Sequence, residues 1–429
     1  MTDPANWNPL TASNVLSAHA LIKPYVHETP LLTSRALNRI ASTPQSPSAL
    51  LGTPFEGQTP ANPKINFFFK CENFQRIGAF KARGAFHALL RLLQVVGAEE
   101  VRRRGVVTHS SGSYAPPRQL VELIGCKTRN HAQALSLAAS TLHIPAHIVM
   151  PSISTRSKIA GTRAHGARIV FSGPTSQERE AVVASIVRET GAFLIPPYNH
   201  PDVVLGQGTV AVEMARQVRE LVGRDGRVSV HWADGDGSAD ANAANDAEPG
   251  TLDAVITPIG GGGLNAGVAT YFSGCRGGAR PLVFGAEPSF QGGDDCRRGL
   301  ERGSRITSVK TLTVADGLRT PVGEVPWEVI SDKGKVEGVY AVSERQIREA
   351  MRLVFERVKI VVEPSAVVGL AVCLFDEGFR RRVEEQCRVS GKRGWDVGVV
   401  LSGGNVGLES VGEMFGGSEG EGRQADGGI

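Results

Sequence analysis

Apolar positions along this chain follow two alternating patterns. The short runs VVTH (106–109), AHIVM (146–150), ARIVF (167–171) and AFLIP (192–196) suit strands buried on both faces. Between them apolar residues recur at helical spacing over Asn130–Thr141, Thr155–His165 and Ser176–Thr190. A second series follows. It runs from a helix over Gly208–Leu221 through strand LDAVITPI, helix LNAGVATYF and strand PLVFGAEP to helices around 344–357 and 364–376 and strand DVGVVLS. Strand–helix–strand alternation predicts mainly parallel sheets covered by helices, and two such series predict a two-domain α/β protein. A ligand is then expected in the cleft between domains, at the carboxyl ends of strands.

Polar stretches interrupt the pattern. STPQSPSALLGTPFEGQTPANP (42–63), ADGDGSADANAANDAEPGT (233–251) and the glycine-rich tail from Gly416 read as surface loop or disorder. At residues 109–139 the break is internal. HSSG ends like a strand entering a tight turn, and NHAQALSLAA starts like a helix with Asn130 in the capping position. The 17 residues Ser113–Arg129 between them belong to neither. Near the N-terminus TASNVLSAHALI reads as an ordinary capped helix.

Composition narrows the function classes. The 429 residues suffice for two domains, and 41% hydrophobic residues is ordinary for a globular protein. A net charge of +4, from 47 basic and 43 acidic residues, makes no electrostatic case for nucleic acid or a membrane surface. No apolar run approaches the roughly 20 residues that span a bilayer. The N-terminus lacks the basic start and apolar block of a secretory signal. The six cysteines are scattered with no CxxC pair, which reads as reduced thiols in a cytoplasmic protein.

Four stretches carry candidate chemistry. In KCENFQRIGAFKARGAFHALLRLL, Lys81 opens a helix just after Gly78 and Ala79. The positive end of the helix dipole should lower its amine pKa, and a neutral amine is what Schiff-base chemistry needs; a solvated lysine at a helix start is the plainer reading. In DAVITPIGGGGLNAGVATYF, Gly260, Gly261, Gly262 and Gly263 lie between a strand and a helix. Bare backbone N–H groups there would cradle a phosphate, or the glycines form only a flexible turn. No GxxxxGK[ST] accompanies them, so P-loop nucleotide hydrolysis is unsupported. DVGVVLSGGNVGL puts Ser402 at the end of a buried strand. GAEPSFQGGDDCRRG puts Glu287, Asp294 and Asp295 after another, where they could hold a hard cation or cap the next helix.

Together these motifs resemble the serine/threonine dehydratase and serine racemase family of pyridoxal-phosphate enzymes, which has the tryptophan-synthase-β-like fold (fold type II). FFFKCENFQRIGAFKARGA is similar to the family's cofactor-lysine signature, and THSSG…NHAQALSLAA to its substrate loop once the insert is ignored. GGGGL, AEPS…DDC, ADGL, ERVKIVVEPSAVVGLAV and LSGGNVGL follow in the family's order, from about Thr29 to Ser410. The departures are the three inserts and two extra residues between Glu287 and the aspartates.

The resemblance implies a large cofactor domain (1–104 and 198–415), a small substrate-loop domain (105–197, with insert 113–129) and a disordered tail (416–429). It implies that Lys81 carries pyridoxal 5'-phosphate and moves the α-proton. Gly260–Gly263 hold the phosphate, Asn130 contacts the ring 3-oxygen and Ser402 faces the ring nitrogen. A neutral hydroxyl at Ser402 makes a weaker electron sink, which favours elimination or racemisation over transamination. Ser110, Ser111 and Gly112 bind the substrate carboxylate, and Ser111 is the second acid/base, facing the α-carbon opposite Lys81. Arg179 and Thr320 lie near the substrate. Glu287, Gly293 and Asp295 (or Asp294) hold Mg²⁺, and Gln133, Lys359 and Asn405 match positions contacting an ATP effector.

The implied function is β-elimination of L-serine or L-threonine to a 2-oxo acid and ammonia, with serine racemisation as a second activity, in a cytoplasmic homodimer. The alternatives are racemisation as the main activity, or a cofactor-binding protein impaired by the insert. After LSGGN no room is expected for a regulatory domain. Removing Ser113–Arg129 leaves THSSGNHAQALSLAA, an unbroken strand–turn–helix, and the insert reads as a translated, unspliced intron in a eukaryotic gene, with a genuine loop as the alternative.

Overall fold

The structure, a computed structural model, describes residues 7–109, 130–152, 159, 162–173, 175–225, 251–275 and 280–416. Its strands form two sheets. The larger has the order β1 (Leu31–Leu32), β2 (Ile65–Cys71), β10 (Trp395–Leu401), β7 (Ala254–Pro258), β8 (Leu282–Pro288) and β9 (Gly338–Val342). All its pairings are parallel except β1 on β2. The smaller, wholly parallel, has the order β5 (Arg168–Ser172), β4 (Ala146–Pro151), β3 (Val106–His109), β6 (Phe193–Leu194). Every residue of β2 and β7 is buried, as helices on both faces require.

The helices Asn130–Thr141 and Ser176–Thr190 have the expected bounds. The first helix, Ala12–Ile22, is capped by Thr11, whose hydroxyl accepts from the Asn14 amide. The helix expected from Gly208 begins instead at Pro201 and runs to Asp225. Gly206 and Gly208 are packing residues inside it, not breakers. A Cβ on Gly206 would lie 2.7 Å from the Cα of Gly84, and one on Gly208 would lie 2.6 Å from the Gly267 carbonyl oxygen. This helix thereby packs tightly against Lys81–Val96 on one side and Gly263–Ser273 on the other. The expected 344–357 helix ends at Leu353 and widens into a π turn, Val354–Val358, closed by left-handed Lys359. The one expected at 364–376 is a 3₁₀ turn, Pro364–Ala366, followed by Val368–Phe375.

Residues 42–63 are loop, as expected, but a packed one. Leu50 and Ala61 are buried, and the buried Arg380 guanidinium donates to the carbonyls of Ala41, Thr43 and Ala61. The stretch 233–250, the tail beyond Gly416, insert 113–129 and most of the expected Thr155–His165 helix lie outside the described residues. Among the described residues no helix is long and apolar enough to cross a membrane. Five cysteines there are free.

Candidate active site

Lys81 is the first residue of the helix Lys81–Val96. The chain reaches it through a turn at Ile77 (φ 61°) and Gly78 (φ 70°). A Cβ on Gly78 would lie 2.7 Å from Asn405 Oδ1, so the small residue is needed. Ala79 then bridges Gly403, and the Phe80 amide donates to the Ser402 carbonyl at 3.1 Å. The lysine loop is thus tied to the end of β10. Lys81 Nζ donates to the Pro197 carbonyl at 2.9 Å and lies 5.1 Å from the centroid of the Phe80 ring. Burial pushes its pKa down to about 8, opposed by the Glu363 charge. The shift has the expected direction, but burial is its cause where the sequence pointed to the helix dipole.

Two residues on, Arg83 pins the same helix. It donates to Glu72 and Glu213, and Glu213 also takes Lys70 at 2.7 Å; all four side chains are buried. Two cations and two carboxylates satisfy one another, which is the condition for burying charge at all.

The glycine loop follows β7. Gly262 (φ 85°) precedes the helix Gly263–Ser273, which has no side-chain cap and no acidic residue in its first turn. Its leading N–H groups are therefore available to an anion. A Cβ on Gly261 would lie 2.2 Å from the Tyr198 ring, and one on Gly260 would lie 2.9 Å from the Gly317 carbonyl oxygen. Side chains would fill this cradle, and their absence fits a phosphate monoester.

A cleft brings Lys81, Asn130, Gly260, Gly261, Gly262, Gly263, Thr320 and Ser402 together. Asn130, expected as a cap, is the first helical residue, and its side chain instead binds Glu363 and Asn405. Among the lining residues that were not expected are Tyr198, His131 and Glu363. His131 Nε2 lies 3.1 Å from the Thr108 hydroxyl, and burial lowers its pKa to about 3, so it is neutral. Burial and nearby Asp316 raise Glu363 to about 8. A lone carboxylate inside the run VVEPSAVVGLAV was the one sequence signal for Glu363; Tyr198 had none. Arg179 lines an adjoining cleft with His109, Arg305 and Thr320. Ser110, Ser111 and Gly112 lie outside the described residues.

The cation candidates stand at the end of β8. Glu287 accepts from the amides of Cys296 (3.0 Å) and Arg297 (2.9 Å), so it caps the helix Asp295–Arg302. Asp295 accepts from the Val322 amide at 3.2 Å. Asp294 is turned away, paired with Arg297 and Arg298. Burial and the charge of Asp295 raise Glu287 well above the carboxylate range, and burial raises Asp295 to about 7. Among the described residues no three metal-ligating side chains cluster. Lys359, Gln133 and Asn405 do not line the cleft; the Asn405 amide nitrogen is spent on Ile77 and Asn130.

The cleft thus groups a lysine at a helix start, an uncapped glycine cradle and a serine at the end of a buried strand. The family model "Pyridoxal-phosphate dependent enzyme" matches residues 119–390. The chain is 36% identical over 408 residues to a serine racemase of Arabidopsis thaliana, covering 94% of this chain and 96% of that one. It is 34% identical over 414 residues to an L-threo-3-hydroxyaspartate ammonia-lyase of Saccharomyces cerevisiae, covering 95% and 97%. The solved structure of maize serine racemase superposes with a TM-score of 0.70 at 33% identity, covering 94% and 95%. The chain belongs to the pyridoxal-phosphate-dependent enzymes of fold type II, in the serine/threonine dehydratase and serine racemase family.

Proposed function

We propose that this enzyme eliminates water from L-serine or L-threonine, with loss of the α-proton and the β-hydroxyl, and that hydrolysis then gives a 2-oxo acid and ammonia. Serine racemisation accompanies it. The observation that carries the reading is Lys81, with its lowered pKa, in one cleft with the uncapped glycine cradle and Ser402. When bound, pyridoxal phosphate withdraws electrons from the substrate's α-carbon. Lys81 holds it and takes the α-proton on one face. The glycine amides hold its phosphate, and Ser402 meets the ring nitrogen with a hydroxyl instead of a carboxylate. Ser110, Ser111 and Gly112 bind the substrate carboxylate; Ser111 serves the opposite face. Arg179 and Thr320 border the substrate.

We assign Mg²⁺ to Glu287, Asp295 and the Gly293 carbonyl. Neither carboxyl has an ion-pair partner among the described residues, whereas Asp294 is already paired, which favours Asp295. From the family resemblance we also propose ATP as an effector at Gln133, Lys359 and Asn405, a homodimer with domains divided at 104/105 and 197/198, and a cytoplasmic location. Nucleotide titration, sedimentation and cell fractionation test these.

A panel of L-serine, D-serine, L-threonine and threo-3-hydroxyaspartate tests the main reading. Keto acid should form from at least one of them, and Lys81→Ala should abolish both turnover and borohydride-reducible cofactor. Cofactor binding without any turnover would favour the impaired-protein alternative. A reducible cofactor surviving in Lys81→Ala would defeat the lysine assignment.

A further inference from the structure

We infer that Glu363 is a positioning residue: with Asn405 it closes a hydrogen-bonded ring on the Asn130 side chain and fixes which atom of that amide faces the cleft. The inference rests on the reading of the cleft as a pyridoxal-phosphate site. Three segments distant in sequence meet here: the start of the helix Asn130–Thr141, the residue before the turn Pro364–Ala366, and the loop after β10. Glu363 Oε1 accepts from Asn130 Nδ2 at 3.0 Å, and its Oε2 accepts from the Asn405 backbone amide at 3.2 Å. Asn405 Nδ2 donates to Asn130 Oδ1 and to the Ile77 carbonyl, both at 2.7 Å. The Glu363 amide donates to the Gly403 carbonyl at 3.0 Å, and a Cβ on Gly403 would lie 2.8 Å from Glu363 Oε1. The carboxyl is therefore seated on the glycine turn that follows Ser402.

An inventory of donors and acceptors sets the amide's orientation. An asparagine side chain offers one oxygen and two N–H groups. Here Asn405 takes the oxygen and Glu363 takes one N–H. A flipped amide would set its NH₂ against the Asn405 NH₂, which the Ile77 carbonyl holds in place. Asn130 is left with one N–H to give, in a cleft it shares with Lys81 and Glu363. An N–H donor there suits an anionic ring oxygen such as the 3-oxygen of pyridoxal phosphate. The ring also ties Asn130 to loops of the larger sheet.

The test compares binding of pyridoxal 5'-phosphate with binding of its 3-deoxy analogue, which lacks that oxygen. Glu363→Gln keeps the shape but offers Asn405 an N–H where it needs an acceptor, or else faces Asn130 with one. Glu363→Gln should weaken the parent cofactor about tenfold, the scale of a charge-assisted hydrogen bond. It should change the analogue by less than about twofold. Asn405→Ala, which keeps the backbone bond to Glu363, should discriminate in the same direction and carries the test if Glu363→Gln does not fold. Equal weakening of both ligands, or none, would overturn the inference while leaving the cofactor site intact. Wild-type protein that binds neither ligand would overturn both.

Discussion

At Lys81, burial favours the neutral amine and the Glu363 carboxyl favours the ammonium. Burial wins, which sets a pH dependence for the cofactor-free chain. Only the neutral amine attacks a carbonyl, and its fraction rises from about 0.1 at pH 7 to about 0.5 at pH 8. Covalent capture of pyridoxal phosphate should therefore speed up about fivefold over that unit and level off above about pH 9. Visible absorbance after rapid mixing measures it, and a rate still climbing about tenfold between pH 8 and pH 9 would mean an unshifted lysine. Ser111 carries a second prediction. Elimination needs one base, on the lysine face, whereas racemisation needs a proton donor on the other. Ser111→Ala should cost racemisation about 100-fold, the scale of one general acid/base, and keto-acid release far less. D-serine and keto acid assayed in the same samples decide it, and equal losses would contradict the two-face assignment.

Among the elements, the helix Asp295–Arg302 has two readings, since the carboxylate of Glu287 already caps it. A bound cation adds native-state stability by mass action. At 100 times its Kd, Mg²⁺ would contribute about 2.7 kcal/mol, and EDTA should remove it. A melting temperature indifferent to both leaves Glu287 as a cap alone. The same scale shows what pattern could and could not reveal. Strands β3, β7, β8 and β10 were legible because parallel strands buried on both faces are nearly unbroken apolar runs. β2 was not, because Asn66 and Lys70 interrupt it. Those two are tolerated only through partners remote in sequence, Asp396 for Asn66 and Glu213 for Lys70. Lys81, the four glycines and Ser402 were visible because each stands at a strand or helix boundary. Glu363 and Tyr198 reach the cleft by tertiary packing, which no local period records.

Across the whole molecule, the 17 residues Ser113–Arg129 lie in sequence between Gly112 and Asn130, which the proposed assignment places in one site. Asn130 is anchored by Glu363 and Asn405, from the side of the larger sheet. Ser110, Ser111 and Gly112 follow β3 of the smaller one in sequence. Closing a 17-residue loop costs about 2–3 kcal/mol, which a protein of this size can absorb, so stability alone does not decide whether the insert belongs. Geometry does. On the proposed assignment the carboxylate loop and Asn130 serve one substrate, and a misplacement of about 1 Å in such a constellation costs roughly 100-fold in rate. If the insert is a translated intron, deleting Ser113–Arg129 should raise keto-acid release from L-serine or L-threonine by about that factor. Cofactor affinity should change much less, because the Asn130 anchor is present in both forms. Expression of the two forms side by side, with cofactor titration and turnover measured on each, is the experiment. A full-length chain more active than the shortened one, from transcripts that retain the 17 codons, would make the insert a working part of the substrate loop.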